Sequence, residues 1–304
     1  MKPPALAPAV ARYLQYRTRL GFKLENDAYA LASLVRLARQ RRHGGPLTTA
    51  LAVAWACASA QASPCQKARR LDAVRTFARF WRAFDPRTEV PPVGILGPSY
   101  PGRPPVHIYT HREIAALLAT TAQWQPAWRA ATFTTFFGLL AVTGLRLSEA
   151  LHLPTQDLDW AAGTVTIRHA KFARVRCLPL HPTTLQALRH YHRHTVRRDG
   201  QLAFFVQPSG QPLSLWQVKH AFQKARRQLG WSAGPRRRLH DLRHTFAVHT
   251  LLRWYRRRQN VGPKLLALTT YLGHRRLTDT YWYLSAVPAL LALARQRWER
   301  RAAL

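Results

Sequence analysis

Five short stretches of this 304-residue chain hold ionisable side chains where packing alone would not ask for them. They are Arg146 in TGLRLSEAL (143–151), Lys171 in a segment of alternating pattern, His240 and Arg243 in HDLRHTFA (240–247), His274 in YLGH (271–274), and Tyr281 and Tyr283 in TYWYL (280–284). Singly, each has a plain explanation. One Arg among 40 is ordinarily solvated or laid against a polyanion, and one His near an apolar helix is ordinarily structural. Together they offer paired guanidiniums that grip phosphate oxygens, imidazoles that move protons, and a phenol that can act as a nucleophile. Other chemistries fit less well. His240 and His244 stand four apart, as two zinc ligands would, but the metalloprotease motif needs Glu where this chain has Asp241, and Arg243 would set a cation beside the metal. Ser148 lacks the glycine-flanked elbow of a serine nucleophile, and no Gly-rich loop ends in Lys-Ser/Thr, so there is no sign of ATP use. No metal or cofactor is expected.

The elements that must position these residues are mostly helical. Thr110-His-Arg-Glu113 has the spacing of a reciprocal helix cap and predicts a helix to about 120. A further apolar helix spans roughly 126–142 and stops at Gly144, and 145–153 reads as a short helix ended by Pro154. In 163–180 the period changes: Val165 and Ile167, then Val175 and Cys177, alternate as two short antiparallel strands with Lys171 in or beside the turn. Helices are predicted again at about 182–197, 214–229, 238–257, 262–273 and 276–284, with a last amphipathic one at 288–303. Ahead of all this, residues 9–84 carry stripes such as Leu31, Leu34, Val35, Ala38 and Leu71, Val74, Ala78, Trp81. They predict four short helices broken at Gly21, Gly44-Gly45-Pro46 and Ser63-Pro64. Seven prolines in residues 85–107 predict an extended, semi-rigid connection. The expected fold is mainly α with a small antiparallel β element (α+β): a helical bundle over 1–90, a Pro-rich linker over 91–107, and a second domain over 108–304.

The charge balance names the partner class. Forty Arg and seven Lys face 13 acidic residues, a formal net charge of +34, far beyond what solubility requires. Sixteen basic and five acidic residues precede residue 100, and 31 and eight follow it, so both domains are basic. Cys57, Cys65 and Cys177 have neither zinc-site spacing nor an even count, and are expected as buried thiols in a reducing compartment. With no signal-peptide core at the amino terminus and no apolar run near the ~18 residues of a span, the expectation is a soluble, cytoplasmic protein with no membrane partner.

Taken in order, the five stretches resemble the active-site segments of the tyrosine recombinases, or phage integrases. In that family the site is formed by an Arg in a GLR-x-x-E segment, a hairpin Lys, a His-x-x-Arg pair, a His or Trp after Leu-Gly, and a Tyr nine residues further on. Here these fall on Arg146, Lys171, His240, Arg243, His274 and Tyr283. The resemblance covers most of 107–290, and the amino-terminal bundle matches only in length and helical character. The long run between Arg243 and His274, with TYWYLSAVP, looks closer to the recombinases carried on transposons and plasmids.

The resemblance implies a site-specific recombinase that cuts and rejoins duplex DNA through a 3′-phosphotyrosyl link, leaving a free 5′-hydroxyl and using no ATP. It implies two domains clamping the duplex, four protomers in synapsis on two sites, and accessory proteins as possible further partners. Arg146 and Arg243 would stabilise the phosphorane charge, and His240 would accept the phenol proton. His274 would hydrogen-bond to the phosphate, Lys171 would protonate the departing oxygen, and Glu149 would orient an Arg or face solvent. Tyr281 is the alternative nucleophile, with core packing as its plainer explanation. The segment 288–304 would dock on a neighbouring protomer or pack on its own domain. A non-cutting DNA-binding accessory protein on the same fold is the competing function, followed by a basic binder without site preference and a type IB topoisomerase.

Overall fold

The computed structural model describes residues 6–100, 105–168, 175–195, 202–234, 236–286, 290–293, 295, 296 and 299. The chain divides into two compact units, residues 1–104 and 105–304. The first is built on α1 (Leu6–Arg19), α2 (Glu25–Gln40), α3 (Thr49–Cys57) and α4 (Pro64–Trp81). Breakers and caps act as their chemistry dictates. Gly21 takes a left-handed φ of 82° after α1. Ser63 and Gln66 cap each other's amides, with Pro64 at the first helical position of α4. The two apolar stripes face inward with Tyr13, Trp55 and Phe77. Trp55 satisfies its indole N–H on Ser33 Oγ at 3.2 Å. Residues 85–100 lie along these helices: buried Arg75 donates to the carbonyls of Pro91 and Pro92, both at 2.8 Å, and Val90 and Leu96 pack on the core.

The second unit comprises α5 (His111–Ala122), α6 (Ala127–Thr143), α7 (Leu147–Leu151), a 3-10 turn (Thr155–Asp157), β1 (Leu158–Asp159), β2 (Thr164–Ile167), β3 (Arg176–Pro179), α8 (Pro182–His194), α9 (Leu215–Gln228), α10 (Leu239–Arg256), α11 (Val261–Leu272) and α12 (Thr278–Ala286). Its largest core gathers Phe133, Phe136 and Phe137 of α6 with Tyr191, Phe204, Phe205 and Phe222, Phe136 meeting Phe205 edge-on at 4.9 Å. Each such ring contributes roughly 1.5–3 kcal/mol by leaving water. A second cluster joins α10, α11 and α12 through Val248, Leu251, Leu265, Leu268, Leu272 and Tyr283. This packing fixes α10, which carries His240 and Arg243, α12, which carries Tyr283, and the turn after α11 that carries His274.

The strands form one antiparallel sheet in the order β1-β2-β3, with Val165 opposite Leu178 and Ile167 opposite Arg176. Here the structure corrects the sequence reading. Cys177, expected as a buried thiol, and Val175, which shares its face by the alternation, are exposed, whereas Arg176 and Leu178 point inward. A strand's side chains alternate, so assigning the wrong residue to the core turns over the whole strand. The cysteine expectation also changes. All three are free thiols; Cys57 and Cys177 are exposed, and Cys65 is half-buried against the Ser99 carbonyl. β1, two residues long, was too short to carry an alternation signal. The hairpin residues 169–174, Lys171 among them, lie outside the described residues, as does much of the helix expected over 288–303. Among the described residues no helix is long and apolar enough to cross a membrane.

Candidate active site

Helix α6 ends on Gly144, whose left-handed φ of 63° lets its N–H close on the Leu140 carbonyl. The chain reverses there, buries Leu145, and sets Arg146 at the start of α7. Arg146 N donates to Glu149 Oε2 at 2.9 Å, and its Nη1 donates to Oε1 at 2.8 Å. Glu149 does not face solvent. Its carboxylate is fully buried and also receives Nη1 and Nη2 of Arg176 at 3.0 and 2.7 Å. Burial alone would raise this carboxyl's pKa, but hydrogen bonds from Arg176 and Arg146 outweigh it and hold the pKa below the ordinary value. Arg176 reaches further, donating through Nε to the Tyr271 carbonyl at 2.9 Å.

The end of α11 ties the second guanidinium to the first. Arg243, on α10 and 3% exposed, donates to the carbonyls of Gly144 at 2.8 Å and Leu272 at 2.6 Å. Arg146 Nη2 takes the next carbonyl, that of Gly273, at 2.7 Å. Two consecutive carbonyls at a helix end, left without intrahelical partners, therefore anchor both arginines. Burial first, and then Arg146, lower the Arg243 pKa to about 10, which leaves it charged at neutral pH. Gly273 has φ 67°, and a Cβ there would sit 2.9 Å from Arg176 Nη1 and 3.3 Å from Arg146 Nη1.

His274 follows at once. Thr269 Oγ1 donates to the Leu265 carbonyl at 2.7 Å and lies 2.9 Å from Thr280 Oγ1. The Thr280 hydroxyl in turn lies 2.8 Å from Nδ1 of His274 and ties the imidazole to α12. Burial, then Arg243 and Arg146, lower the His274 pKa to about 4.

Tyr283, on α12, is 2% exposed, and its Oη lies 3.1 Å from Nδ1 of His244; its ring is 6.1 Å from that of His274. Tyr281 is 48% exposed. His240 is exposed one turn before His244, with the two rings 4.7 Å apart edge to face. Burial of part of its ring, and then Arg243, lower the His240 pKa. Of the six expected residues, the structure thus gathers Arg146, His240, Arg243, His274 and Tyr283 around the ends of α6 and α11, while Lys171 lies outside the described residues.

Two residues that the sequence reading missed belong to the cluster. Arg176 had a signal, because Leu178 and Leu180 share its face of the strand and both are buried. His244 had one too, its spacing from His240, but that was weighed only as metal-ligand spacing. The assembled groups offer fixed positive charge, neutral imidazoles and a phenol, a set suited to displacement at a phosphodiester.

Comparison with known proteins identifies the family of the chain. The sequence profile of the Phage integrase family matches residues 108–288. The "Putative integrase/recombinase y4rB" of Sinorhizobium fredii (strain NBRC 101917 / NGR234) is 38% identical over 309 residues, covering 96% of each chain. "Tyrosine recombinase XerC" of Chlamydia caviae (strain ATCC VR-813 / DSM 19441 / 03DC25 / GPIC) is 30% identical over 224 residues, 71% of this chain and 65% of its own. Among solved structures, the Tn1549 transposon integrase in complex with transposon right end DNA shares the fold with a TM-score of 0.71 and 20% identity, covering 98% of this chain and 99% of that one. The chain belongs to the phage integrase family and is a tyrosine-type site-specific recombinase that acts on DNA.

Proposed function

We propose that Tyr283 cuts one strand of a duplex recombination site and holds the 3′-phosphate as a phosphotyrosine until a 5′-hydroxyl displaces it. The observation that carries this reading is the anchoring of Arg146 and Arg243 on the adjacent carbonyls of Gly273 and Leu272, in the cluster that buries the Tyr283 hydroxyl. Guanidiniums fixed before the substrate arrives stabilise phosphorane charge without reorganising. The Tyr283 oxygen attacks phosphorus, the P–O5′ bond breaks, the phenol proton leaves to a neutral imidazole of α10, and the 5′-oxygen gains a proton from Lys171. His240, the exposed imidazole, opens that set to solvent. Held through Nδ1 by Thr280 at 2.8 Å, His274 donates an Nε2 proton to a hydrogen bond with the phosphate. The phosphate anion favours that proton by offsetting Arg243 and Arg146.

The full assembly is four protomers on two duplexes in the cytoplasm, with both basic units on DNA; the resemblance and the charge distribution support it. Nicked duplexes from the DNA flanking the gene, incubated with the protein and denatured, are expected to yield covalent adducts from wild type and Tyr281→Phe, and none from Tyr283→Phe. Adducts lost only in Tyr281→Phe would move the nucleophile. Tight binding by wild type without adducts on any of several flanks would favour the non-cutting reading.

A further inference from the structure

The imidazole against the candidate nucleophile is that of His244, not His240. Nδ1 of His244 lies 3.1 Å from Tyr283 Oη, and the two rings meet at 61° with centroids 5.5 Å apart. Trp282 flanks the same imidazole at 5.5 Å, and His240 meets it edge to face at 4.7 Å. A contact with a 2%-exposed tyrosine, made from the middle of α10 where Arg243 and Thr245 are themselves buried, is held by both helices and is not a chance surface meeting.

We propose that His244 is a further catalytic residue: its bare Nδ1 accepts the hydrogen bond of the Tyr283 hydroxyl and takes that proton as the phenol attacks phosphorus. The proposal rests on the reading of Tyr283 as nucleophile. In the step, Oη–P forms while P–O5′ breaks; the proton passes from Oη to Nδ1, and the 5′-oxygen is protonated separately from the leaving side.

The groups facing His244 set its protonation. They are Arg238, His240 and Arg243 from α10 and its cap, His274 from the turn after α11, and Tyr283 from α12. Burial first, then His240 and the neighbouring cations, push the His244 pKa down to about 3, so the ring is neutral over the working pH range. Such a ring has one bare nitrogen and is always able to accept. Its low basicity would make it a weak base if nothing changed. The phosphodiester anion, entering between Arg146 and Arg243, raises that basicity when the reaction needs it.

The test uses the full chain and two readouts. On nicked flank duplexes, single-turnover adduct formation is expected to fall about 10²-fold in His244→Ala, within the usual range for a general base. His244→Asn, whose amide oxygen can stand near the Nδ1 position, is expected to recover part of the rate. With sulfur replacing the bridging 5′-oxygen, the leaving group needs no proton, and the His244→Ala defect is expected to persist. Rescue by the 5′-thio substrate would place His244 on the leaving-group side and overturn the proposal. So would a wild-type rate, or a loss matched by equal losses in DNA affinity and melting temperature and not restored by Asn.

The second readout needs no DNA. With ¹⁵N-histidine labelling, the His244 Nδ1 resonance is expected at the position of a bare nitrogen and to shift in Tyr283→Phe; a protonated Nδ1, or no shift, overturns the proposal. A wild type that forms no adduct on any flank would defeat the reading of Tyr283 and leave this second readout to judge the contact.

Discussion

Glu149 shows at the scale of single residues how much of the site is electrostatic. Its carboxylate has no exposure and lies between Arg146 and Arg176, and the Arg176 side chain is only 7% exposed. Breaking such a buried pair from one side leaves the other charge stranded, at a cost of about 3–5 kcal/mol. Glu149→Gln is therefore expected to lower unfolding free energy by that order and to unseat Arg146. It should also change the shape of the pH dependence. The folded pKa of Glu149 lies below its ordinary value, so its contribution is complete above the ordinary carboxylate range and is lost as pH falls through the folded value. Urea unfolding at several pH values between 3 and 7 should give a wild-type acid limb that is steeper than that of Glu149→Gln. Parallel limbs would mean that the carboxyl is not held as described.

Elements carry a different kind of constraint, seen where α11 ends. Gly230 and Gly273 share the same φ of 67°, but a Cβ at Gly230 would meet nothing within 4 Å, while at Gly273 it would press on Arg176 and Arg146. A left-handed non-glycine residue costs roughly 1–2 kcal/mol by itself. Gly230→Ala and Gly273→Ala should thus lose similar stability, since guanidinium ends can move aside. Only Gly273→Ala should lose adduct formation, by more than about 10-fold, because 1 Å misplacements can cost 10²-fold. Equal activity in the two variants would show that the arginine positions are not critical. This pairing also marks what a sequence can disclose. The Leu-Gly-His run was legible as a helix stop, and the apolar stripes of α2 and α4 identified their buried faces, because both signals are local. The carbonyls of Leu272 and Gly273 as anchors were not legible, since they meet Arg243 and Arg146 across 29 and 127 positions. Arg176 was misplaced for a related reason. Its inward register is favourable only because Glu149, 27 positions earlier, waits there to pair with it.

For the whole molecule the governing quantity is charge. Forty Arg and seven Lys face 13 carboxylates, and several of those are already committed to internal pairs, such as Glu113 with Arg237, Glu149 with Arg176 and Asp241 with Arg238. Each such pair neutralises one arginine, so the outward field is that of the remaining net charge of +34, and counterion release should dominate affinity for any duplex. If six to ten phosphates are neutralised, binding should weaken by about 10³–10⁵ between 50 and 200 mM salt, with log K falling linearly in log salt. Charge by itself reads no sequence, so a basic binder without site preference would give the same line for every duplex. A site-specific recombinase should give lines of similar slope for a recombination-site duplex and a scrambled duplex of equal length, separated by about 10³ or more. Fluorescence anisotropy titrations of the two duplexes across that salt range measure both quantities. Superimposed lines would show that +34 accounts for the binding and that no base is being read. A constant vertical gap would show that specificity rests on contacts whose strength salt does not change.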